Sequence, residues 1–563
     1  MGRPKRSVVQ RPGPNRREFF RRTGGAAVAL ATTSWLQACG GGHDDEEPVV
    51  TPPGSGLFRH GVASGDPLAD RVILWTRVTP ESAGTVTVDC VVATDVALAN
   101  VVVSTSVSTD ASRDYTVKTD VTGLQPNTTY YYRFTAMGAS SPIGRTRTIP
   151  SGSATRLRIA VVSCANLAHG YFNAYRRIAE RADLDFVVHL GDYIYEYGDP
   201  DIRAFEPATE IVTLADYRTR HAQYKRDADL QEMHRQHPMI AIWDDHDFAS
   251  NANATGSQNH TEATEGTWAA RVAAALQAYY EWMPVRVVDP TDLRKNNRSF
   301  SYGNLVDLVM LEERIVARSP QLPGNIANTD LFTQTGAFTD PTREMLGGVE
   351  QSWLATKLRT STARWKLVGQ GVMFAPLKVQ AASNANGGGS FVNPDQWDGY
   401  QPARDRVYDV LKGNASTPAV DNVVLLTGDA HSSWAADLSQ DPNNADPATG
   451  GYDPNTGAGS RAVEFVATSV TSRMILDTGG LGESLLKQIN PHFKYIDLTR
   501  HGYLLVDADA TRVVGEWWYV DTITSTSSGQ SFGAAFQVQD GAKHLTAAAQ
   551  TSPRVGPPAL APA

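Results

Sequence analysis

Four short apolar runs have the length and the β-branched composition of buried strands. The runs are Leu157–Val162, Phe186–Leu190, Met239–Trp243 and Val423–Thr427, and they end at Ser163-Cys164-Ala165-Asn166, Gly191-Asp192-Tyr193-Ile194-Tyr195, Asp244-Asp245-His246-Asp247 and Gly428-Asp429-Ala430-His431. If these strands lie parallel in one sheet, their carboxyl ends meet at one edge, where open α/β sheets hold their ligands. We therefore expect the four polar ends to converge on a polynuclear metal site.

Between residues 155 and 525 the strands alternate with amphipathic helical segments. Helical periods cover 171–181, 214–237, 268–282 and 349–360, and later strands are expected at 463–468, 502–508 and 512–520. This alternation predicts an α/β core in which layered β-sheets are flanked by helices. The long loops 316–345 and 381–400, rich in Gly, Asn and Pro, are expected to be functional covers or insertions.

Residues 57–150 show a different pattern, with short strands and no helical period. Strands are expected at 72–78, 85–93, 100–106 and 129–136. The segment Gly123–Phe134 resembles the part of fibronectin type III domains in which a tyrosine fixes a corner between two sheets. We therefore expect an N-terminal β-sandwich of the fibronectin type III or immunoglobulin type, which by itself indicates no activity.

The beginning of the chain is interpreted as an export signal rather than as part of the fold. Residues 1–39 join a twin-arginine stretch to a short apolar segment and a lipobox-like sequence that ends at Cys39. The polar run 40–56 would tether a lipidated Cys39 to the folded protein. A plain signal peptide cleaved near Ala38 is the alternative. Either interpretation predicts export by the twin-arginine route to the periplasm or cell surface.

Composition excludes some classes of function. The chain of 563 residues is too long for one core, and its 41% hydrophobic and 20% charged residues are typical of soluble globular proteins. A net charge of −9 and the lack of a basic face argue against a nucleic-acid-binding surface. The tail 526–563, rich in Ser, Ala, Gly and Pro, is expected to be partly disordered.

The side-chain types at the strand ends restrict which metals they can bind. A thiolate and a phenolate beside carboxylate and imidazole favour a highly charged transition ion such as ferric iron, whereas calcium or magnesium takes oxygen ligands. Each residue alone has an ordinary explanation: Cys164 as a core thiol, Tyr195 as aromatic packing, Asp245 as a helix cap and His431 as a satisfied polar group. Their joint occurrence at four strand ends favours the metal site.

A disulfide between Cys164 and Cys90 is conceivable in an exported protein. Against it, Cys90 lies in an alternating strand of the other predicted domain. We interpret Cys90 as a small buried hydrophobic residue. Cys164 then remains available as a metal ligand.

The same sequence blocks resemble those of the PhoD-like alkaline phosphatases, a branch of the calcineurin-like metallophosphoesterases. The resemblance covers roughly residues 57–525 and rests on Phe58–Pro67, Ser163-Cys164, Gly191–Glu196, Trp243–His246, Gln396–Tyr400 and Gly428–His431. It implies a layered metallophosphoesterase core that binds ferric iron and calcium. The residues it assigns to iron are Cys164, Asp192, Tyr195 and His431, and those it assigns to calcium are Asp192, Asp429 and Asp245. Asn166 and Asn251 are further candidates for contact with metal or phosphate.

The chain departs from the family pattern at two places. Asp247 stands where the family usually has glutamate, and Glu312-Glu313-Arg314 stands where relatives carry Asp-Thr-Arg. Neither departure falls on a core ligand. The predicted activity therefore stands, while the choice of substrate is less determined.

The resemblance implies an exported alkaline phosphatase that hydrolyses phosphate monoesters with a metal-activated hydroxide and without a covalent enzyme intermediate. Asp192 would bridge the two kinds of metal. His246 would contact the phosphoryl group or protonate the leaving alkoxide, or would only support a ligand. Arg314 is a candidate phosphate clamp on chemical grounds alone.

Other classes of function stay open at this point. Within the hydrolases, a phosphodiesterase or phospholipase D-type activity is the main alternative. A non-catalytic surface-binding lipoprotein and an iron oxidoreductase are alternatives from other classes. The expected partners are small phosphate esters, with membrane contact only through the N-terminal lipid, and the protein is expected to be a monomer.

Overall fold

The computed structural model describes residues 56–327, 329, 331–381, 388–474 and 479–562. The twin-arginine signal, Cys39 and the tether up to residue 55 lie outside the described residues, so export and lipidation stay predictions. Within the described parts of the chain, no helix is both long enough and apolar enough to cross a bilayer.

The strands alternate with helices from residue 156 onward, after a first stretch that contains strands and short 3-10 turns. In chain order the strands are β1 (Val62–Gly65), β2 (Arg71–Arg77), β3 (Val86–Ala93), β4 (Val101–Thr109), β5 (Thr116–Thr122), β6 (Thr129–Ala136), β7 (Ala139–Ser140), β8 (Gly144–Arg147), β9 (Arg156–Val162), β10 (Phe186–Leu190), β11 (Pro238–Ile242), β12 (Arg298–Tyr302), β13 (Val306–Met310), β14 (Trp365–Gln370), β15 (Lys378–Ala381), β16 (Gly389–Phe391), β17 (Val423–Thr427), β18 (Ser433–Leu438), β19 (Ala462–Val466), β20 (Phe493–Asp497), β21 (Gly502–Asp509), β22 (Arg512–Val520), β23 (Gln530–Gln539) and β24 (Thr546–Ala547).

The α-helices are α1 (Asn173–Ala179), α2 (Leu214–Tyr224), α3 (Ala228–Gln236), α4 (Glu262–Glu265), α5 (Trp268–Trp282), α6 (Gly347–Thr360), α7 (Gln401–Lys412) and α8 (Leu481–Ile489). The single helix expected over 214–237 is divided into α2 and α3. The division falls at Asp227, whose carboxylate accepts the backbone N–H groups of Asp229 and Leu230 and so begins a new helix.

Two large mixed sheets form the centre of the molecule. One has ten strands in the order β24-β23-β22-β21-β9-β10-β11-β1-β2-β5, and the other has seven in the order β12-β13-β14-β17-β19-β18-β20. In the first, β9, β10 and β11 are parallel neighbours, and in the second, β13, β14, β17 and β19 are parallel neighbours. The parallel strands that carry the predicted polar ends are therefore divided between two sheets rather than collected in one.

The two sheets pack face to face, with helices on their outer faces. Alternation of side chains along β10 shows the layers: Val188 and Leu190 lie between the sheets with Leu426 of β17, whereas Val187 packs towards the helices with Leu230 and Met233 of α3. Helices α6 and α7 cover the other outer face. The prediction of layered mixed sheets flanked by helices is confirmed.

The N-terminal strands form two β layers around a core of their own. One layer is a five-stranded sheet of β4, β3, β6, β7 and β8. The facing strands β1, β2 and β5 belong to the ten-stranded sheet, because β1 pairs in parallel with β11. This pairing joins the region directly to the large sheet. The likeness of this N-terminal region to fibronectin type III sandwiches stays a prediction.

The prediction of a partly disordered tail after residue 525 differs from the structure. Strands β23 and β24 continue the ten-stranded sheet beyond β22. Further on, Arg554 pairs with Asp185, Ser552 O accepts hydrogen bonds from Arg158, and the N–H of Ala561 donates to Gln236. Polar contacts with strand-start residues thus order a segment whose composition suggested disorder. Arg158 lies near the start of β9, and Asp185 and Gln236 precede β10 and β11, so the tail lies away from the carboxyl ends of these strands.

Candidate metal centre

The loops after β9, β10, β11 and β17 meet at the carboxyl ends of their strands. Backbone hydrogen bonds join the first two loops, with Cys164 N–H donating to Gly191 O at 3.2 Å and Ala165 N–H to Asp192 O at 3.0 Å. Gly191 allows the loop after β11 to come close, since a Cβ atom there would lie 2.4 Å from the backbone nitrogen of Asp244. The predicted convergence of the four polar ends is therefore what the structure shows.

Four of the predicted ligands have left-handed backbone conformations. The φ angles are 60° at Cys164, 55° at Asp192, 54° at Asp429 and 52° at His431. Residues with a Cβ atom adopt this conformation at a cost in free energy, and such residues concentrate at functional sites. At these four positions the backbone turns sharply just after a strand and directs the side chain into the space between the loops.

The first group of ligand atoms combines sulfur, oxygen and nitrogen. Single ligand atoms of Cys164, Asp192 and His431 all lie within 4.8 Å of one another. The Tyr195 hydroxyl joins them, donating to Asp192 Oδ2 at 2.9 Å and lying 3.4 Å from His431 Nε2. Ser472 donates to the Tyr195 oxygen at 2.6 Å. This is the set that the family resemblance assigns to iron, and the structure brings all four side chains together.

Two further groups contain mainly carboxylates. One consists of Asp192, Asp245 and His246, and the other of Asp244, Asp245 and Asp429, with the same 4.8 Å limit between ligand atoms. Asp192 belongs to the first two groups and Asp245 to the last two. The groups therefore form a continuous chain of ligands, as a centre with more than one metal ion requires.

Burial controls the protonation of these groups when no ion is bound. Desolvation raises the pKa of Cys164 and of Tyr195 well above their ordinary values, and nearby carboxylates raise both further. Burial also raises the pKa of Asp192 to about 7, although His246 opposes the shift. A bound cation reverses this effect, since a coordinating thiol is deprotonated outright.

His246 is held by a residue that the sequence analysis did not single out. Its Nδ1 lies 2.7 Å from Glu196 Oε2, and its ring stacks on Tyr195 with 4.4 Å between ring centroids. Glu196 Oε1 accepts the N–H of Ser250 at 2.8 Å, which fixes the carboxylate. Burial lowers the pKa of His246, but the Glu196 and Asp245 carboxylates outweigh burial and raise it well above its usual value.

Asp247, noted only as a departure from the family pattern, organises the loop after β10. Its carboxylate accepts the backbone N–H groups of Asp192 at 2.9 Å and Tyr193 at 3.1 Å, and that of Asp244 at 2.9 Å. One buried side chain thus links two of the ligand-bearing loops. The signal in the sequence was the third acidic residue of the Asp244–Asp247 block, although nothing in the pattern indicated its partners.

Arg314 lies among the carboxylates of the candidate centre. Its guanidinium is fully buried, bonds through Nε to Asp244 and through Nη1 to Asp395 at 2.8 Å, and lies 3.4 Å from Asp245 Oδ1. Asp429 Oδ1 is 3.9 Å away. The guanidinium therefore neutralises part of the charge of these carboxylates. Its role as a phosphate clamp stays a prediction.

The two asparagine candidates differ. The side chain of Asn166 caps the turn Leu167–His169 by accepting the N–H of Ala168, which is an ordinary structural role. Asn251 donates its backbone N–H to Asp245 Oδ2 at 2.6 Å and its side-chain N–H groups to Gln258 and Gln321. Its buried Oδ1 has no hydrogen-bond partner among the described residues. An orphaned carbonyl oxygen beside the acidic groups fits a hard cation such as calcium.

Cys90 and five of the histidines lie outside the ligand groups. Cys90 and Cys164 are both buried and free, so they form no disulfide. The residues interpreted as surface or structural histidines, His169, His234, His237, His260 and His492, belong to none of the ligand groups found in the described chain. His237 and His492 are buried and bond to backbone carbonyls, so their part is structural rather than on the surface.

Buried carboxylates beside an imidazole at the strand ends of a layered α/β fold suit a hydrolase that acts on phosphate esters with bound metal ions. The family model described as PhoD-like phosphatase matches residues 159–517, and the model of the PhoD-like phosphatase N-terminal domain matches residues 45–150. The chain belongs to the PhoD-like phosphatase family.

Individual relatives agree with this assignment. The chain is 34% identical over 510 residues to alkaline phosphatase D of Bacillus subtilis (strain 168), which covers 86% of this chain and 81% of that protein. A solved structure of PhoD is 32% identical and matches with a TM-score of 0.77, covering 90% of this chain and 94% of that one. The protein is therefore a hydrolase of phosphoesters.

Proposed function

We propose that the protein is an exported alkaline phosphatase that hydrolyses phosphate monoesters at an iron–calcium centre. The observation that carries the proposal is the continuous chain of three ligand groups linked by Asp192 and Asp245. Its first group contains the sulfur and phenol ligands that favour ferric iron, and its last contains only carboxylates. Two kinds of ligand set beside each other favour two kinds of ion.

The iron would be held by Cys164, Asp192, Tyr195 and His431. Calcium would be held by Asp192, Asp429 and Asp245, with the orphaned Oδ1 of Asn251 as a further oxygen ligand. When bound, such ions lower the pKa of a coordinated water to about 7 and neutralise the charge of the phosphate. Asn166 is left out of this assignment, because its side chain already caps a turn.

His246 is proposed as the group that gives a proton to the leaving alkoxide. Its Nδ1 is engaged by Glu196 at 2.7 Å, which leaves Nε2 as the end of the ring towards the acidic groups, 3.9 Å from Asp245 Oδ2. The raised pKa keeps the ring protonated over a wider range of pH. Glu196 thus orients the ring and maintains its charge.

A phosphodiesterase is the second candidate, and a specific cavity favours it. Next to Asn251 lies a cavity of about 360 Å³ lined by Gln258, Gln321 and Leu322. A phosphate monoester carries one esterified alcohol. A phosphate diester carries a second one, and this second substituent needs room beside the reacting phosphate. The neutral side-chain amides of Gln258 and Gln321 suit this second, uncharged alkoxy substituent.

Paired assays with matched substrates test both candidates. Purified protein is given a nitrophenyl phosphate monoester and the corresponding bis-nitrophenyl diester, before and after removal of metals with a chelator. The proposal expects faster release of nitrophenol from the monoester and loss of both activities in the chelated protein. Faster cleavage of the diester would favour the phosphodiesterase, and activity that survives complete metal removal would contradict a metal centre.

Export and anchoring are a separate proposal that rests on the sequence alone. We propose that the twin-arginine signal carries the protein across the membrane and that Cys39 is lipidated. Replacing Arg16-Arg17 with two lysines should keep the protein in the cytoplasm. Cys39→Ser should release the exported protein from the membrane fraction, and membrane retention of this variant would contradict lipid attachment.

A further inference from the structure

Strand β4 is an open edge of the five-stranded sheet. It has nine residues and pairs on one side with β3, while no other strand of the described chain pairs with it. Val101 and Val102 are 46% and 51% exposed. Its sequence, Val-Val-Val-Ser-Thr-Ser-Val-Ser-Thr, contains no charged residue and no proline. A long, uncharged edge of this kind presents unpaired backbone groups to another strand.

The other edges of the large sheets are protected. Strands β7 and β24 have two residues each. Strands β12 and β20 carry Arg298 and Lys494. In β5, Lys118 bonds to backbone carbonyls of Tyr280 and Val285, which covers that edge. Short length, charge, bulges and cover are the usual ways of preventing edge pairing. Strand β4 has only an irregularity at Val102, which is skipped in the pairing with β3, and the pairing is regular from Val103 to Thr109.

The sequence of β4 is complementary to itself. Its central residues, Val103-Ser104-Thr105-Ser106-Val107, read the same in both directions. If two copies pair antiparallel about a twofold axis at Thr105, the axis places Thr105 opposite Thr105, Ser104 opposite Ser106, and Val103 opposite Val107. An isologous interface requires such matching of a surface with itself.

The faces of the strand agree with this register. Val103 and Val107 are half-buried against the core of the N-terminal layers, whereas Ser104 and Ser106 are exposed on the outer face. In the twofold register, the core-facing residues of one copy lie opposite the core-facing residues of the other copy. Val103 would lie beside the partner's Val107, so the apolar layer of one copy would continue into that of the other.

We propose that two copies of this chain pair through their β4 strands, antiparallel and centred on Thr105, to form a dimer with one continuous N-terminal sheet. This differs from the monomer expected from the sequence alone. The candidate metal ligands come from the loops after β9, β10, β11 and β17, so each copy keeps a complete centre. The dimer is therefore independent of the proposed reaction.

Sedimentation velocity over a series of protein concentrations tests the association. The sample is the full chain with Cys39→Ser, which removes the lipidation site. The parent should dimerise, and Ser104→Lys/Ser106→Lys should raise the dissociation constant roughly tenfold, because two like-charged pairs then face each other. The matched control, Thr87→Lys/Thr135→Lys, adds the same charge to the outer faces of β3 and β6 and should leave dimerisation unchanged.

A charge-swap mixture adds a second readout. Ser104→Glu/Ser106→Glu alone should dimerise about as weakly as the lysine variant, while an equimolar mixture of the two should form heterodimers. A parent that stays monomeric at every concentration would overturn the proposal. This is also the result expected if residues before 56, or another protein, cover β4. A lysine variant that dimerises like the parent would overturn it too.

Engineered cysteines test the register. Only a twofold axis at Thr105 places this residue opposite its own copy, so Thr105→Cys should give disulfide-linked dimers under mild oxidation. Val103→Cys and Val107→Cys, which lie in the regular part of the strand, should each fail to cross-link alone and should cross-link when mixed. Phosphatase activity should stay unchanged in these variants. Cross-linking of Val103→Cys with itself, or none at Thr105→Cys, would overturn the proposed pairing.

Discussion

The two sides of the candidate metal centre balance their charge in different ways. On the carboxylate side, Arg314 lies among Asp244, Asp245 and Asp395 and neutralises them within the protein. On the thiol–phenol side, among the described residues, no lysine or arginine side chain bonds to the side chain of Cys164, Asp192 or Tyr195. One side therefore holds a permanently charged guanidinium, whereas the nearest cation to the other is the imidazole of His246, which is paired with Glu196.

This difference indicates what each side can do before any ion binds. On the carboxylate side, burial raises the pKa of Asp244 well above its ordinary value, and the Arg314 guanidinium opposes part of this shift. The thiol and phenol stay protonated, since burial raises the pKa of both Cys164 and Tyr195. Only a strongly charged ion can make those two ligands anionic, so the thiol–phenol side should depend most on its metal.

The largest effect is expected from Cys164→Ala. This change removes the sulfur ligand, so iron, visible colour and activity should disappear together, with a fall in turnover of about 10³-fold or more. Elemental analysis, absorption spectra and initial rates of one preparation check the result. Cys90→Ala, at the other buried free thiol, is the control and should retain all three. A colourless variant with full turnover would count against the iron assignment.

Asp429→Ala affects the opposite side and should separate colour from activity. The protein should fold, keep its iron and lose calcium, and hydrolysis should drop by roughly 10²-fold or more because oxygen ligands to the second ion are missing. Circular dichroism, metal content and turnover measure these three properties. Loss of iron together with calcium would show that the two sides bind their ions as a single unit.

Arg314→Met should destabilise the metal-free protein by about 3–5 kcal/mol, because it leaves several buried carboxylates without their cation. Added calcium should reduce this loss, since the ion supplies the missing positive charge. The measurement is urea unfolding with and without calcium. Arg404→Met breaks the buried pair with Asp398, away from the centre, and calcium should not rescue it. Equal rescue of both variants would contradict the assigned role of Arg314.

The smallest effect is expected from Glu196→Gln, with a fall in turnover of about tenfold to a hundredfold. The Glu196 carboxylate raises the pKa of His246, so its removal should lower that pKa. If protonated His246 serves the leaving group, the alkaline limb of the pH–rate profile should move to lower pH. Glu210→Gln is the control, since Glu210 pairs with Arg271 instead. An unshifted alkaline limb would exclude His246 as the proton donor.

The sequence predicted the candidate ligand residues, but it did not predict the contacts of the residues that hold them in place. Cys164, Asp192, Asp429 and His431 were found because each lies two to four residues after the end of an apolar run, which is a local signal. The contacts of Arg314 with Asp244 and of Glu196 with His246 join residues 70 and 50 positions apart, and no local pattern shows them. For the same reason the pairing of β1 with β11 and the order of the C-terminal tail were missed. Long-range ion pairs and sheet edges depend on the fold as a whole.

Metal analysis of the active wild-type protein, together with its visible spectrum, tests the central claim most directly. The account predicts iron and calcium in the same preparation and an absorption band from phenolate bound to ferric iron, which is lost when Tyr195 is replaced by phenylalanine. A fully active protein that contains no iron and has no visible absorption would contradict it.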